Sequence, residues 1–287
     1  MKNPLKPKSE IEKTIDPLIP PIKLNYNWGG GILNYRKRFP ELFTKEIFPY
    51  LLQKSIELKA PTNELSILDI GCGWGPLAIA ALIHERVIQK RGSGYLKYLG
   101  IDIREDAINW LKAAYSSHSF ASFQLHSANS NIDYVGAVKE KSSTVGKSNG
   151  EEAKFIFPAG FKHNWQWSSS VFTHLTPEAC LEALKSIRKS CAVNSMQVNT
   201  WLIIDNESAY SLAAGSADRE LPFDFGDFLT YSESNPLVCT CYKIEAIERM
   251  YRESGLEIVS IDKGSWRGPA YKNGANHYQD IIISRPL

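Results

Sequence analysis

The sequence predicts an α/β protein with a doubly wound, Rossmann-like sheet. Short apolar runs alternate with amphipathic stretches along the chain, as strands and helices do in this class. A glycine-rich turn joins the first predicted strand to the helix that follows, which is how a βαβ unit begins. The length of 287 residues and a hydrophobic content of 43% suit one such domain with additions.

The first strand and its turn occupy residues 66–75, Ser-Ile-Leu-Asp-Ile-Gly-Cys-Gly-Trp-Gly. The apolar run Ile67–Ile70 breaks into alternating glycines, and a helical stretch follows. Glycine allows positive φ and a close approach of the backbone to a ligand. The helix N-terminus adds unpaired N–H groups and a partial positive charge. The turn therefore predicts a site for a nucleotide-like ligand, and the alternative is a glycine-rich turn that binds nothing.

The spacing of the glycines distinguishes between ligands. The dinucleotide fingerprint is G-x-G-x-x-G, whereas this turn is G-x-G-x-G and its strand carries a carboxylate, Asp69. That charge would repel a pyrophosphate and attract the ammonium group of an aminoacyl ligand. The pattern resembles motif I of the class I S-adenosylmethionine-dependent methyltransferases, D-x-G-x-G-x-G. The resemblance implies that Asp69, Gly71, Cys72, Gly73 and Gly75 belong to an S-adenosylmethionine site.

The second strand, predicted at Tyr98–Ile101, ends in Asp102. A carboxylate in this position can accept hydrogen bonds from both ribose hydroxyls. The alternative for this carboxylate is a cap on the next helix, for which Asp106 is better placed. We assign Asp102 and the adjacent Ile103 to the cofactor site.

The third strand is predicted at residues 122–126, and Asn129 follows it. The methyltransferase family commonly has Asp there, bound to the adenine amino group. An amide oxygen can accept the same hydrogen bond, so Asn129 is assigned to the cofactor site. An ordinary polar turn is the alternative.

The fourth strand is predicted at residues 165–172. The stretch 170–175, Ser-Val-Phe-Thr-His-Leu, is similar to a methyltransferase subgroup that carries this motif at the carboxyl end of the strand. We assign Ser170 to the cofactor site. His174 is the candidate general base, and the alternative is a structural imidazole bonded to a loop carbonyl. Thr176 and the proline after it predict a capped helix.

The resemblance covers residues 24–287, after a Pro- and Lys-rich tail at 1–23. It implies a seven-stranded sheet whose last strand runs antiparallel between strands five and six. Insertions are predicted at about 136–160 and at 206–241, the second being either an aromatic acceptor-binding segment or a packed Ω-loop. The remaining predicted elements are helices at 32–58 and 242–254 and strands at 198–205, 256–261 and 278–284.

Composition excludes several function classes. Lys plus Arg is 33 against 31 Asp plus Glu, so a strongly cationic nucleic-acid binder is not indicated. No apolar run reaches the roughly 18 residues of a membrane span, and the start, Met1-Lys2-Asn3-Pro4, lacks the apolar core of a secretory signal. The five cysteines show no metal-ligand spacing, so reduced thiols in a cytoplasmic protein are expected. Cys239 and Cys241 are expected on opposite faces of a strand.

Taken together, the residues and the resemblance predict an enzyme that transfers a methyl group in line to an oxygen or nitrogen of a small molecule or glycan. Its cofactor would be S-adenosyl-L-methionine, and no metal is expected. Two alternatives remain open. A nicotinamide-dependent dehydrogenase is disfavoured by the glycine spacing and by Asp69. The other is a module that binds the cofactor without turnover.

Overall fold

A computed structural model describes residues 16–21, 40–62, 64–89, 95–126, 157–158, 160–272 and 277–287. The helices are α1 Phe48–Glu57, α2 Pro76–Gln89, α3 Glu105–Ala114, α4 Pro177–Ser190, α5 Asn206–Ala213 and α6 Ile244–Ser254. The strands are β1 Glu64–Ile70, β2 Tyr95–Asp102, β3 Ala121–Leu125, β4 His163–Ser168, β5 Cys191–Trp201, β6 Ile203–Ile204, β7 Phe223–Asp224, β8 Phe228–Thr230, β9 Cys241–Lys243, β10 Leu256–Asp262 and β11 Asp280–Pro286. Asn129 and most of the insertion predicted at 136–160 lie outside the described residues.

Seven strands form one mixed sheet in the order β10-β11-β5-β4-β1-β2-β3. The pairs β1/β2, β2/β3 and β4/β5 are parallel. The strand β11 runs antiparallel to both β5 and β10. This order confirms the predicted sheet, with its last strand antiparallel between the fifth and sixth strands of the prediction. The chain divides into two compact units, Met1–Leu125 and His126–Leu287.

In the unit Met1–Leu125, β1 is buried on both faces over most of its length, as a central parallel strand should be. The helix α2 starts at Pro76, directly after the glycine turn, and its first turns are fully buried. The helix α3 buries one stripe, Ala107, Ile108 and Leu111. The described part of the helix predicted at 32–58 is helical from residue 40 and contains a π-helical turn, Phe43–Ile47, directly before α1.

In the unit His126–Leu287, the fourth strand is shorter than predicted. It ends at Ser168, because Ser170 takes positive φ (56°) and residues 172–174 form a 3-10 turn. The predicted cap of α4 is confirmed, since Thr176 Oγ1 accepts a hydrogen bond from Ala179 N at 3.2 Å and proline occupies the first turn. The fifth strand starts earlier than predicted, at Cys191, and Asn194 within it also has positive φ (58°).

The predicted insertion 206–241 contains regular structure. It begins with α5 and then supplies β7 and β8, which join a small second sheet of order β6-β9-β8-β7. Phe225 and Phe228 stack at 5.4 Å between ring centroids. Tyr242 was predicted in the last helix, but it lies in β9. Because an Ω-loop has no regular secondary structure, that description of the segment is wrong.

The prediction for one cysteine pair is wrong. Cys239 and Cys241 belong to the same buried cluster, with Leu202 and Trp266. Side chains two positions apart in an extended segment point to the same face, so strand alternation itself favours a shared cluster, and the expectation of opposite faces was contrary to it. All five cysteines are buried free thiols. Within the described residues, no helix combines the length and apolar character needed to cross a bilayer.

Candidate functional site

The glycine turn in the unit Met1–Leu125 has a defined backbone path. Gly71, Gly73 and Gly75 have positive φ angles of 73°, 52° and 76°. Gly71 N and Cys72 N both donate to Ile101 O, at 2.8 and 3.0 Å, so the turn is bonded to the end of β2. Three left-handed positions in five residues require the alternating glycines that the sequence shows. The turn is therefore a preformed concave segment of backbone between β1 and α2.

Asp102 lies at the end of β2, beside this turn, and is 9% exposed. Its Oδ2 accepts a hydrogen bond from Gly73 N at 2.7 Å, and its Oδ1 accepts one from Arg104 N at 2.9 Å. Burial raises the pKa of Asp102, while the backbone bonds from Arg104 and Gly73 oppose that shift. An ionised carboxylate has about four acceptor positions. Part of this acceptor capacity thus remains for the hydroxyl groups of a ligand.

The alternative reading of these carboxylates as helix caps is wrong. The residue at the N-cap of α3 is Arg104, and no side chain caps this helix end. Asp106 lies inside the first turn, where its Oδ1 accepts a hydrogen bond from the adjacent Ala107 N at 2.8 Å. It also pairs with Arg104 at 2.9 Å. Neither Asp102 nor Asp106 therefore occupies the N-cap position, although Asp106 bonds to one N–H of the first turn.

Asp69 is nearly enclosed, with 2% of its surface exposed. Tyr98 OH donates a 2.5 Å hydrogen bond to Asp69 Oδ2 from the neighbouring strand. Burial raises the pKa of Asp69 to about 7; the Tyr98 bond opposes this shift and the charge of Asp102 adds to it. Asp69 is thus only partly ionised at neutral pH and is bonded within the sheet. Its attraction for a ligand ammonium group stays a prediction.

Cys72 and Ile103 differ in exposure. The Cys72 side chain is buried, and burial raises its thiol pKa, so it is no nucleophile at neutral pH. Ile103 is 41% exposed directly after Asp102. An exposed aliphatic side chain beside a carboxylate is suited to contact an apolar ring.

Sequence reasoning missed Gly100, which lies in β2 opposite Asp69. A Cβ at this position would lie 3.0 Å from Cys72 Sγ and 2.9 Å from Phe123 Cδ1. Glycine here lets the turn lie directly over β2. The available signal was an isolated glycine inside a strand, which often marks close approach of another backbone segment.

Trp74 and Arg104 were also missed. The Arg104 guanidinium lies 4.7 Å from the centre of the Trp74 ring, and Trp110 meets the same ring edge-on at 6.0 Å. Trp74 is completely buried, and its Nε1 has no hydrogen-bond partner. These aromatic contacts pack the middle of the turn against the start of α3. The sequence offered no spacing from which to predict them.

In the unit His126–Leu287, the partly buried Ser170 forms a polar set with two buried side chains, Thr200 and Gln279. Ser170 N donates to Thr200 Oγ1 at 2.8 Å, and Ser170 Oγ donates to Gln279 Oε1 at 3.1 Å. Thr200 Oγ1 donates to the same Gln279 oxygen at 2.6 Å. Positive φ at a non-glycine residue is strained, and such strain often occurs at functional sites. The set fixes Ser170, and its role toward a cofactor stays a prediction.

His174 follows in the 3-10 turn. Its Nδ1 lies 3.1 Å from Leu237 O, the contact expected for a structural imidazole bonded to a loop carbonyl. Burial lowers the pKa of His174, the Leu237 bond opposes that shift, and the charge of Arg219 lowers it further. The imidazole is therefore neutral near pH 7. A role as general base stays a prediction.

Among the described residues, no group of three or more His, Cys, Asp or Glu side chains is arranged to hold a metal ion.

Comparison with known proteins gives fold similarity without close sequence similarity. No family model matches the chain. An S-adenosylmethionine-dependent methyltransferase from Clostridium acetobutylicum superimposes with a TM-score of 0.51 at 10% identity, over 88% of this chain and 96% of that chain. DesVI from Streptomyces venezuelae gives a TM-score of 0.50 at 14% identity, over 89% of this chain and 96% of that chain. At such identities the likeness shows the fold alone, and the fold is the one predicted.

Proposed function

We propose that this chain, which has the class I methyltransferase fold, is an S-adenosyl-L-methionine-dependent methyltransferase acting on an oxygen or nitrogen of a small molecule or glycan. One observation carries the proposal. The left-handed glycine turn after β1 is hydrogen-bonded, through Gly73, to the carboxylate that ends β2. Backbone N–H groups and a carboxylate thus stand together where a nucleoside with an amino acid attached could be held.

The described residues fit this cofactor. Asp102 can also accept from ribose hydroxyls, because the backbone N–H groups that bond to it do not use the full acceptor capacity of a carboxylate. The turn at Gly71 and Gly73 presents backbone free of side chains, and Ile103 offers apolar surface next to the carboxylate. When bound, S-adenosylmethionine would supply an activated methyl group. The chain's part is then to orient the two reactants and to exclude water from them.

The dehydrogenase alternative gains no support from the turn. A dinucleotide site places a pyrophosphate on the free N–H groups at the start of the helix. In this chain α2 begins with Pro76, which has no N–H to offer. The partly ionised Asp69 below the turn would add repulsion. Both features disfavour a pyrophosphate there.

Calorimetry tests the proposal. We expect S-adenosylhomocysteine to bind to the full chain with one site, and NAD and NADP not to bind. Binding of a nicotinamide nucleotide without binding of S-adenosylhomocysteine would refute the methyltransferase assignment. A screen of acceptors with methyl-labelled cofactor then separates turnover from binding alone, since a binding module would transfer no label to any acceptor.

A further inference from the structure

Arg219, in the unit His126–Leu287, is a cation with no ion-pair partner in the part of the chain that the structure describes. It lies between α5 and β7 and is half-buried. Its Nε is buried and has no hydrogen-bond partner among those residues, while the guanidinium also bonds to the Tyr278 side chain. Among the described residues, no carboxylate forms an ion pair with it, although other arginines of this unit do form such pairs. A buried donor without a partner costs about 1–3 kcal/mol, so its retention calls for an explanation.

The backbone fixes the position of Arg219 from both sides. Asp218 N donates to Trp266 O at 2.9 Å. Leu221 packs against the buried cluster that contains Trp266. The adjacent carboxylate does not neutralise Arg219, because Asp218 is paired with Lys272 at 3.7 Å. The backbone and side-chain contacts of Asp218 and Leu221 therefore hold Arg219 in position.

The guanidinium faces an exposed aromatic ring. Its Cζ lies 5.7 Å from the centre of the Tyr278 ring, and Tyr278 is 38% exposed. The next residue, Gln279, is the one that accepts hydrogen bonds from Ser170 and Thr200. Arg219 thus contacts the residue that directly precedes Gln279 in the chain.

The charge of Arg219 affects the pKa of two neighbouring groups. The pKa of His174 is lowered mainly by burial and further by Arg219. The pKa of Cys239 is lowered chiefly by a hydrogen bond from Cys241 and also by Arg219. In both groups Arg219 is a minor contribution, which shows that the guanidinium lies close to His174 and Cys239.

We propose that Arg219 binds a carboxylate of the methyl acceptor, with the Tyr278 ring as the wall of that subsite. The inference rests on the proposed function and narrows it to acidic acceptors. A guanidinium is planar and presents paired donors that match the two oxygens of a carboxylate. A carboxylate is favoured over a phosphate because a single cation balances a single negative charge.

The test follows the Arg219 Nε–H resonance by ¹⁵N NMR in full-length protein saturated with S-adenosylhomocysteine. The resonance is identified by its loss in Arg219→Lys. The probes are 4-hydroxybenzoate and glucuronate, with 4-hydroxybenzamide and glucose as neutral counterparts. We expect a saturable shift with at least one acid and none with its neutral counterpart. The proposal is overturned if neither acid shifts the resonance, if a neutral counterpart shifts it equally, or if only inorganic phosphate does.

Variants complete the test. Arg219→Gln should weaken binding of the responding acid by about ten- to hundredfold, the range for a charged hydrogen bond. Arg285→Gln is the matched control, because it removes an exposed arginine paired with Glu257, and it should leave acid binding unchanged. Equal affinity in Arg219→Gln and wild type would overturn the proposal. Calorimetry with S-adenosylhomocysteine on the same samples separates failure of the Arg219 subsite from failure of the proposed function. Only a wild-type protein that does not bind S-adenosylhomocysteine counts against the proposed function.

Discussion

Gly73 donates its backbone N–H to the carboxylate of Asp102, which lies 29 positions later in the chain, at 2.7 Å. This bond joins the turn after β1 to the end of β2. The carboxylate proposed to hold the cofactor therefore also holds the turn in position. Changes at Asp102 should alter both the affinity for the cofactor and the conformation of the turn.

Asp102→Asn should weaken binding of S-adenosylhomocysteine by about 1–3 kcal/mol, because the amide keeps the size of the side chain but loses the charge and one acceptor oxygen. Calorimetry measures the loss. Asp106→Asn is the control, since Asp106 is exposed and pairs only near the start of α3. Equal affinities for the Asp102 variant and the wild type would remove Asp102 from the site.

Gly75→Ala should destabilise the fold by about 3 kcal/mol or more. The residue has φ of 76°, and an added Cβ would lie 2.7 Å from Leu111 Cδ2 on α3. Gly226→Ala separates backbone strain from the clash, because Gly226 has φ of 84° but open space around its Cβ position. We expect about 1 kcal/mol for this control. Urea unfolding of both variants gives the comparison, and equal losses would contradict the clash.

Asp69 should make stability fall as pH rises from about 4 to about 7. Its folded pKa of about 7 lies above the ordinary value of 3.8, so the folded chain binds more protons than the unfolded chain in this window. Stability is then lost as the buried carboxyl ionises, by up to about 4 kcal/mol. Asp69→Asn should remove this contribution, so that the difference in unfolding free energy between variant and wild type grows with pH.

The control for the Asp69 experiment is Asp224→Asn. The pKa of Asp224 is lowered, chiefly by its hydrogen bond with Lys243. Its contribution to stability is therefore present above the ordinary carboxyl pKa and lost on acidification, the opposite sign. Urea unfolding at several pH values measures both slopes. A difference between Asp69→Asn and wild type that does not change with pH would contradict the raised pKa.

Arg267 and Asp280 form a fully buried ion pair at 2.6 Å. Asp280 also accepts hydrogen bonds from Ile203 N, Gly264 N and Trp266 Nε1. Asp280→Asn should therefore cost about 3–5 kcal/mol, because it leaves a buried guanidinium without its full counter-charge.

The matched control for that pair is Glu257→Gln, which breaks the exposed ion pair with Arg285 at 2.7 Å. We expect at most about 1 kcal/mol for it. Thermal and urea unfolding of both variants measure the difference. If Asp280→Asn lowered the free energy of unfolding no more than Glu257→Gln does, the buried ion pair would contribute little to stability.

Local sequence signals predicted the elements that depend on local chemistry. The alternating glycines gave the turn, and Thr176 with its following proline gave the start of α4. The signals failed where a strand boundary is set by its neighbours: the fourth strand ends early because Ser170 bonds to Thr200 and Gln279. Cys239 and Cys241 share one cluster, as side chains two positions apart in an extended segment do, so the expectation of opposite faces misapplied the period of two.

The sequence by itself determined the order of strands and helices, the glycine turn and the carboxylate at the end of β2, because periodicity, glycine spacing and apolar runs act over a few residues. Tertiary structure alone decided that Gly100 makes room for Cys72, that Asp69 is bonded to Tyr98, and that Arg219 lies beside the Tyr278 ring. These features join residues distant in the chain. Their energies come from burial and from partners that only the folded sheet brings together.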